Sequence, residues 1–373
     1  MPERIDLLRA DDPRDVVHRA VACLAQGGVV GLPTESSYGV VASALDPGAI
    51  DRLRGMGRSG GLTEARRPTL FLKGPGEVDD WARVATEAGR RLARRAWPGP
   101  VTLVFPEAEG GLTGRLDGSV RSFLIGADRI ALRSPSHRMA REIVRLLPGP
   151  LIEADPAAVF GDRRASGVDD LDGLDGLDML LDVGPTQLGG PSTVVEVGDE
   201  GWAVRDRGVV PDEAVARMAG TIFLFICTGN TCRSPMAEAL CKSLIAKRLG
   251  CGSEGLVGRG YVVLSAGVSA MDGVPAAPNA IEVVRARGGC LDDHVSRRVA
   301  PELVRHADHI FAMTGDHLDA LLDQVPEVAA RARLLDPLGD DIADPVGLDH
   351  ETYRRTARDI EGHLGRLLDD LGL

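Results

Sequence analysis

Ile222-Phe223-Leu224-Phe225-Ile226 runs without a break into Cys227-Thr228-Gly229-Asn230-Thr231-Cys232-Arg233-Ser234-Pro235. Five consecutive apolar residues read as a strand covered on both faces, as in the middle of a parallel sheet. Beyond Pro235, the residues Met236, Ala237, Leu240, Leu244 and Ile245 recur at helical spacing. Ser234 is a good N-cap for that helix and Pro235 a good first residue. The stretch therefore predicts strand, tight loop and helix N-terminus in succession. Gly229 and Asn230 suit the unusual backbone angles such a loop demands.

That geometry gathers backbone N–H groups and the positive helix end onto one point, which makes an anion site. The same field stabilises a thiolate at Cys227, and the planar fork of Arg233 can grip two phosphate oxygens. A thiolate facing a clamped phosphoryl group is equipped for nucleophilic phosphoryl transfer. An inert buried cysteine at a strand end is the bland alternative, and it leaves Arg233, Ser234 and Pro235 unaccounted for. Such chemistry also needs an acid for the leaving group. Two Asp-Pro pairs lie downstream, Asp336-Pro337 and Asp344-Pro345, and the residues alone do not choose between them.

Working outward, the 373 residues exceed one ordinary domain of roughly 100–200, so two are expected. Strand-like and amphipathic stretches alternate throughout, which predicts α/β folds in both halves. Gly28–Leu32 and Ser192–Val197 read as strands. The Asp- and Gly-dense segment 162–185 carries Leu171, Leu174, Leu177, Leu180 and Leu181 and reads as a helix with loops. Pro211–Gly220 reads as a short helix stopped by glycine, so the domains are taken as 1–219 and 220–373.

Composition excludes several classes. Hydrophobic content of 44% and charged content of 26% are those of a globular protein. No segment approaches the roughly 18 apolar residues of a membrane helix, and the N-terminus lacks the apolar core of a secretory signal, so a cytoplasmic location is expected. Net charge is −12, with 27 basic against 33 acidic residues up to Gly220 and 16 against 22 after it. Neither half is a basic polyanion-binding module by composition. Six irregularly spaced cysteines read as free thiols, with Cys23 on an apolar helix pattern suited to core packing. Only Lys73, Lys242 and Lys247 are lysines, so arginine carries almost all positive charge.

Cys-Thr-Gly-Asn-Thr-Cys-Arg-Ser-Pro-Met-Ala-Glu at 227–238, with Ser265-Ala266-Gly267, His294-Val295-Ser296-Arg297, His309–Met313 and the terminal Asp-Pro, resembles the low-molecular-weight protein tyrosine phosphatase family over 221–373. The resemblance implies a doubly wound parallel four-stranded sheet with a phosphate-binding loop. It implies Cys227, Arg233 and Asp344 as catalytic, a phosphocysteine intermediate, and no cofactor or metal. Asp344 is preferred over Asp336 because it stands just before a last helix marked by Tyr353, Thr356, Ile360, Leu364, Leu367 and Leu371. Thr228, Gly229, Asn230, Thr231, Cys232, Ser234, Ser265 and His294 would support the loop. Thr231, where tyrosine-specific members carry an aliphatic residue, resembles the protein-arginine phosphatase branch, so phosphoarginine and phosphotyrosine proteins are both candidate substrates. Cys232 would trap an oxidised Cys227 as a disulfide.

In the first half, Leu32-Pro33-Thr34-Glu35-Ser36-Ser37-Tyr38-Gly39-Val40, Ala96–Val104, Ile130–Pro135 and Pro191–Val195 resemble, in order and spacing, the YrdC-like threonylcarbamoyl-AMP synthase family over about 15–210. The resemblance implies an α/β domain with a concave, positive cavity. There ATP with Mg, threonine and bicarbonate would yield threonylcarbamoyl-adenylate for tRNA modification, a family setting that includes double-stranded RNA binding. Thr34, Tyr38, Arg58, Arg133, Ser192, Arg205 and Arg207 are the matching nucleotide- and threonine-binding candidates. The family's lysine is missing near Arg58, and its Ser-x-Asn segment is replaced by Glu153-Ala154-Asp155. Two readings of the whole follow: a bifunctional enzyme, or a phosphatase joined to an inactive nucleotide- or RNA-binding module. A phosphoprotein adaptor with a dead loop is disfavoured by intact Cys227, Arg233 and Asp-Pro.

Overall fold

The computed structural model describes residues 2–56, 68–154, 156–161 and 165–373. They divide into two compact units, Met1–Met218 and Ala219–Leu373. No helix among the described residues is long and apolar enough to cross a membrane.

Among the described residues the first unit is built on ten strands: β1 (Glu3–Asp6), β2 (Val30–Pro33), β3 (Tyr38–Ser43), β4 (Thr69–Phe71), β5 (Val101–Pro106), β6 (Arg129–Arg133), β7 (Leu151–Glu153), β8 (Met179–Asp182), β9 (Thr193–Gly198) and β10 (Gly201–Asp206). They form one mixed sheet in the order β1-β8-β2-β3-β7-β4-β6-β5-β9-β10. Helices Pro13–Ala25 and Arg138–Leu146 turn Val16, Val17, Ala20, Leu24, Ala140 and Ile143 onto Val30, Leu32, Val41 and Leu181 of the sheet. Asp12 starts the first of these helices by accepting the Arg14 N–H at 2.8 Å, with Pro13 at its first position. Cys23 packs against this core as a partly buried side chain.

The segment 162–185 departs from expectation. Its described part is a single 3₁₀ turn at Val168–Leu171 followed by β8, so Leu180 and Leu181 lie on a strand. The leucine spacing imitates a helix, but Gly173 and Gly176 take φ of 82° and 94° and break any helical run. Residues 162–164 lie outside the described residues, as do Arg58 and Asp155.

The second unit carries β11 (Thr221–Cys227), β12 (Tyr261–Gly267), β13 (His309–Ala312) and β14 (Ala332–Leu334), all parallel, in the order β12-β11-β13-β14. Alternation along β11 sends Phe223, Phe225 and Cys227 to one face with Met236, Leu240, Ile360 and Leu364. Ile222, Leu224 and Ile226 go to the other with Val304, Leu321 and Val325. A strand buried on both faces has no room for polar residues, which is why 222–226 is wholly apolar. The helix after the loop spans Arg233–Leu249 with Cys232 at its N-cap position. It begins one residue before the expected cap, because the Ser234 hydroxyl is used inside the loop rather than on the helix end. The last helix, His350–Asp370, buries Tyr353, Thr356, Ile360, Leu364, Leu367 and Leu368.

Candidate active site

Cys227 ends β11 at the carboxyl edge of the sheet, where parallel α/β sheets place their ligands. Its Sγ receives the Asn230 backbone N–H at 3.3 Å and lies 3.0 Å from Ser234 Oγ. Ser234 Oγ is also 3.3 Å from the Ala266 carbonyl and accepts Asn230 Nδ2 at 3.0 Å. Its single proton goes to the Ala266 carbonyl or, by rotation of the hydroxyl, to Cys227 Sγ.

Asn230 is the keystone of the loop. It is the residue with positive φ, 54°, and it is fully buried. Gly229, expected to share that role, does not take positive φ, and a Cβ there would meet only Thr231 Oγ1 at 3.6 Å. Asn230 Nδ2 donates to Ser265 Oγ at 2.8 Å, Oδ1 accepts the Arg297 N–H at 2.8 Å, and the carbonyl accepts His294 Nε2 at 2.9 Å. Ser265 passes its own proton to Glu238 Oε2 at 2.6 Å. Gly267 closes the packing: a Cβ there would fall 2.4 Å from the Thr228 carbonyl.

Arg233 leans across the loop and donates to Asp344 Oδ2 at 2.6 Å and to the Ile342 carbonyl at 3.1 Å. The arginine side chain is 6% exposed and the aspartate 42%. Asp336 sits elsewhere, capping Leu338 N–H and facing His363 at 3.5 Å. Thr231 Oγ1 is 3.7 Å from Cys232 Sγ, which in turn lies 3.2 Å from the Tyr353 hydroxyl. Burial, helped by Cys232, pushes the Tyr353 phenol up.

Two members of this arrangement escaped the sequence reading. Glu238 sits one and a half turns into the helix, where nothing in its spacing marks it as buried. His317 places Nε2 2.7 Å from Thr228 Oγ1 and Nδ1 2.7 Å from Thr314 Oγ1. Burial and then the Arg233 charge hold its imidazole below the usual histidine value, against nearby carboxylates.

In the first unit the turn between β2 and β3 brings Thr34 to Arg133 on β6. Arg133 NH2 reaches Glu35 Oε1 at 2.7 Å, Ser36 Oγ at 2.8 Å and Thr34 Oγ1 at 3.4 Å, and Nε reaches the Gly99 carbonyl at 3.3 Å. The other Glu35 oxygen accepts the Ser136 and His137 N–H groups at 2.9 and 3.1 Å, at the start of helix Arg138–Leu146. Burial disfavours this carboxylate's charge, but Arg133 and the His137 N–H outweigh it and hold the pKa below the usual value. Burial likewise lowers His137, opposed by Glu35. Ser192 lies 3.0 Å from Thr102 Oγ1, next to the β5–β9 pairing. Tyr38 is fully buried, donating to the Gly184 carbonyl at 2.8 Å. Arg205 pairs with Glu196 at 3.4 Å and Arg207 with Asp212 at 2.9 Å. A cavity of about 410 Å³ opens beside Met56 and Val159 with Asp172 and Asp175 on its wall. Neither Thr34, Arg133 nor Ser192 lines it.

Two α/β units, one of them presenting a cysteine and an arginine on a strand–loop–helix anion site, define the class. The chain belongs to the family described as telomere recombination, whose model matches residues 22–208, and over residues 222–372 to the low molecular weight phosphotyrosine protein phosphatases. It is 36% identical over 152 residues to a protein-arginine-phosphatase of Geobacillus stearothermophilus, covering 40% of this chain and 94% of that one. It is 29% identical over 210 residues to a threonylcarbamoyl-AMP synthase of Pyrococcus abyssi, covering 54% of this chain and 57% of the relative. A synthase of the same name in Bacillus subtilis is 26% identical over 223 residues, covering 58% and 60%. The chain thus spans little more than half the length of these synthases.

Proposed function

We propose that the second unit is a cysteine-dependent protein phosphatase acting on phosphoarginine. The observation that carries the chemistry is Cys227 Sγ held by the Asn230 N–H and the Ser234 hydroxyl, with Arg233 tied to Asp344 alongside. The thiolate attacks phosphorus and the bond to the leaving group breaks. Asp344, released from Arg233 as the phosphoryl group binds and protonated from solvent, delivers that proton to the departing atom. Asp344, now a carboxylate, takes a proton from water, which attacks the phosphocysteine and releases phosphate and the Cys227 thiolate. Arg233 and the loop N–H groups stabilise the charge that builds on the equatorial oxygens. None of these steps calls for a cofactor.

Phosphoarginine is favoured over phosphotyrosine by what stands around the loop. A phenyl ring is held best by aromatic or apolar walls. Of the five aromatic side chains after Ala219, Phe223, Phe225 and Phe311 are buried in the sheet, Tyr353 is buried against Cys232, and Tyr261 is at the opposite end of β12. The segment carrying Asp344 also carries Asp340 and Asp341, both exposed, which suits a cationic leaving group. Similarity to the arginine phosphatase of Geobacillus stearothermophilus points the same way. The full-length protein should hydrolyse phosphoarginine peptides faster than matched phosphotyrosine peptides, and a Cys227→Ser variant should hydrolyse neither. Faster phosphotyrosine turnover would overturn the substrate assignment.

For the first unit we propose a threonylcarbamoyl-adenylate synthase, supported by the family match and by the convergence of Thr34 and Arg133. It would use ATP as its magnesium complex with threonine and bicarbonate, and serve tRNA in the cytoplasm, where free thiols such as these six stay reduced. Pyrophosphate release dependent on both threonine and bicarbonate, retained in Cys227→Ser, tests it. A folded protein without that release leaves the phosphatase as the sole activity.

A further inference from the structure

Between the helix Arg233–Leu249 and the segment 290–297, the second unit holds a cavity of about 250 Å³. It falls below the roughly 300–1,000 Å³ of pockets for drug-sized ligands, so its occupant is small. Ala239 and Leu291 form its buried apolar wall, and Val295, 56% exposed, stands at its rim.

Its polar lining is of mixed sign. Lys242 and Arg297 are cationic, while Glu238 and Asp293 are anionic. Lys242 is ion-paired with Glu238, whose second oxygen takes the Ser265 proton. His294 completes the wall. Its Nε2 donates to the Asn230 carbonyl, which leaves Nδ1 as an acceptor in the neutral ring. A simple anion placed here faces Glu238 and Asp293, and a simple cation faces Lys242 and Arg297. A ligand carrying both charges on one small frame matches Arg297 and Asp293 at once and can exchange into the Lys242–Glu238 pair.

Three residues of the lining connect to Asn230: His294 through its carbonyl, Arg297 through its side-chain oxygen, and Glu238 through Ser265. Asn230 in turn gives its N–H to Cys227 Sγ. His294 and Arg297 are therefore two hydrogen bonds from the nucleophile, and an occupant bonded to either is three away. A carboxylate that draws Lys242 from Glu238 changes the charge that Ser265 and Asn230 feel.

We infer that this cavity is an effector site for a small zwitterion with one ammonium and one carboxylate, the chemistry of a free α-amino acid, and that its occupancy tunes the Cys227 loop. The tuning rests on the phosphatase reading above; the binding does not. Glycine, L-serine, L-threonine, L-arginine and L-glutamate are titrated singly into the full-length protein by calorimetry, with acetate and methylammonium as single-charge probes. In parallel, kcat and KM are measured on p-nitrophenyl phosphate. At least one amino acid should bind saturably and change kcat/KM by about twofold or more, a modest coupling by the usual range. Val295→Trp, which plugs the rim, and Asp293→Ala should lose both responses and keep basal turnover. No binding by any amino acid, binding undiminished in Val295→Trp, or equal binding of acetate or methylammonium would overturn the site. Binding with unchanged kcat and KM would overturn the coupling. A protein without basal turnover removes the phosphatase reading, and the calorimetric comparison with Val295→Trp still decides the site.

Discussion

Replacing Asn230 by alanine tests how the loop is held. Three side-chain hydrogen bonds are lost, to Ser234, Ser265 and the Arg297 N–H, all within 3.0 Å and around a fully buried residue. At about 0.5–1.5 kcal/mol each they sum to roughly 1.5–4.5 kcal/mol, and the Arg297 N–H is left without its acceptor. Alanine at φ of 54° adds about 1–2 kcal/mol of left-handed strain that asparagine tolerates better. The expected loss is about 3–6 kcal/mol, a large share of the roughly 5–15 kcal/mol that holds a domain folded. Trp81, Trp97 and Trp202 all precede Met218, so tryptophan fluorescence in urea reports the first unit alone. Phosphatase activity reports the second, and far-UV circular dichroism reports both, so the part of the dichroism change that does not follow the fluorescence belongs to the second unit. Asn230→Ala should move the activity midpoint and the second unit's part of the dichroism change far down while leaving the fluorescence midpoint in place. Asn230→Gly relieves the strain at a cost of about 0.5–1 kcal/mol in chain entropy, so it should be no worse. A loss below about 1 kcal/mol with turnover intact would refute the role given to Asn230.

Asp344→Asn should lower kcat by about 10²–10⁴ on substrates with basic leaving groups and by much less on p-nitrophenyl phosphate, whose leaving group needs little protonation. Arg133→Met strands the buried Glu35 charge and should destabilise the first unit by about 3–5 kcal/mol in the fluorescence transition, whereas a shift under about 1 kcal/mol would show the pair to be dispensable. Cys232→Ser should lose the dithiothreitol-reversible recovery from peroxide that the native protein shows, because nothing remains to trap an oxidised Cys227. His137 and His317 both hold pKa values below 6.5 in the fold. The unfolded chain therefore takes up their protons first, and stability should be full above 6.5 and fall as pH drops below it. His317→Gln should flatten that slope in the dichroism transition.

The second unit was legible because its site is mostly one contiguous stretch. An apolar strand, a cysteine, an arginine and a helix face follow each other, and local rules fix their geometry. The distant partners Ser265, His294 and Asp344 came from resemblance to a family, not from the residues alone. Glu238 and His317 were missed because burial of a charged or titratable side chain is decided by what packs over it. In the first unit the motifs are four short stretches far apart in sequence, none of which holds a site by itself. Arg133 meets Thr34 and Glu35 from a strand about a hundred residues further along the chain, a contact that no local spacing encodes, and the leucines of 171–181 were misread because helical spacing was counted across two positive-φ glycines.

The two arginine–carboxylate pairs show how one chemistry gives two outcomes. Asp344 is 42% exposed, so on the proposed mechanism it can leave Arg233 for an arriving phosphoryl group and take up a proton from solvent. Glu35 is 5% exposed, and its second oxygen is already occupied by the N–H groups of Ser136 and His137. An anion that would use Arg133 and the start of helix Arg138–Leu146 must therefore compete with a carboxylate held by both. On the proposed synthase activity, a threonine carboxylate would either displace Glu35 or bind beside it. Glu35→Gln separates the two, since it should strengthen anion binding in the first case and weaken the fold without that gain in the second.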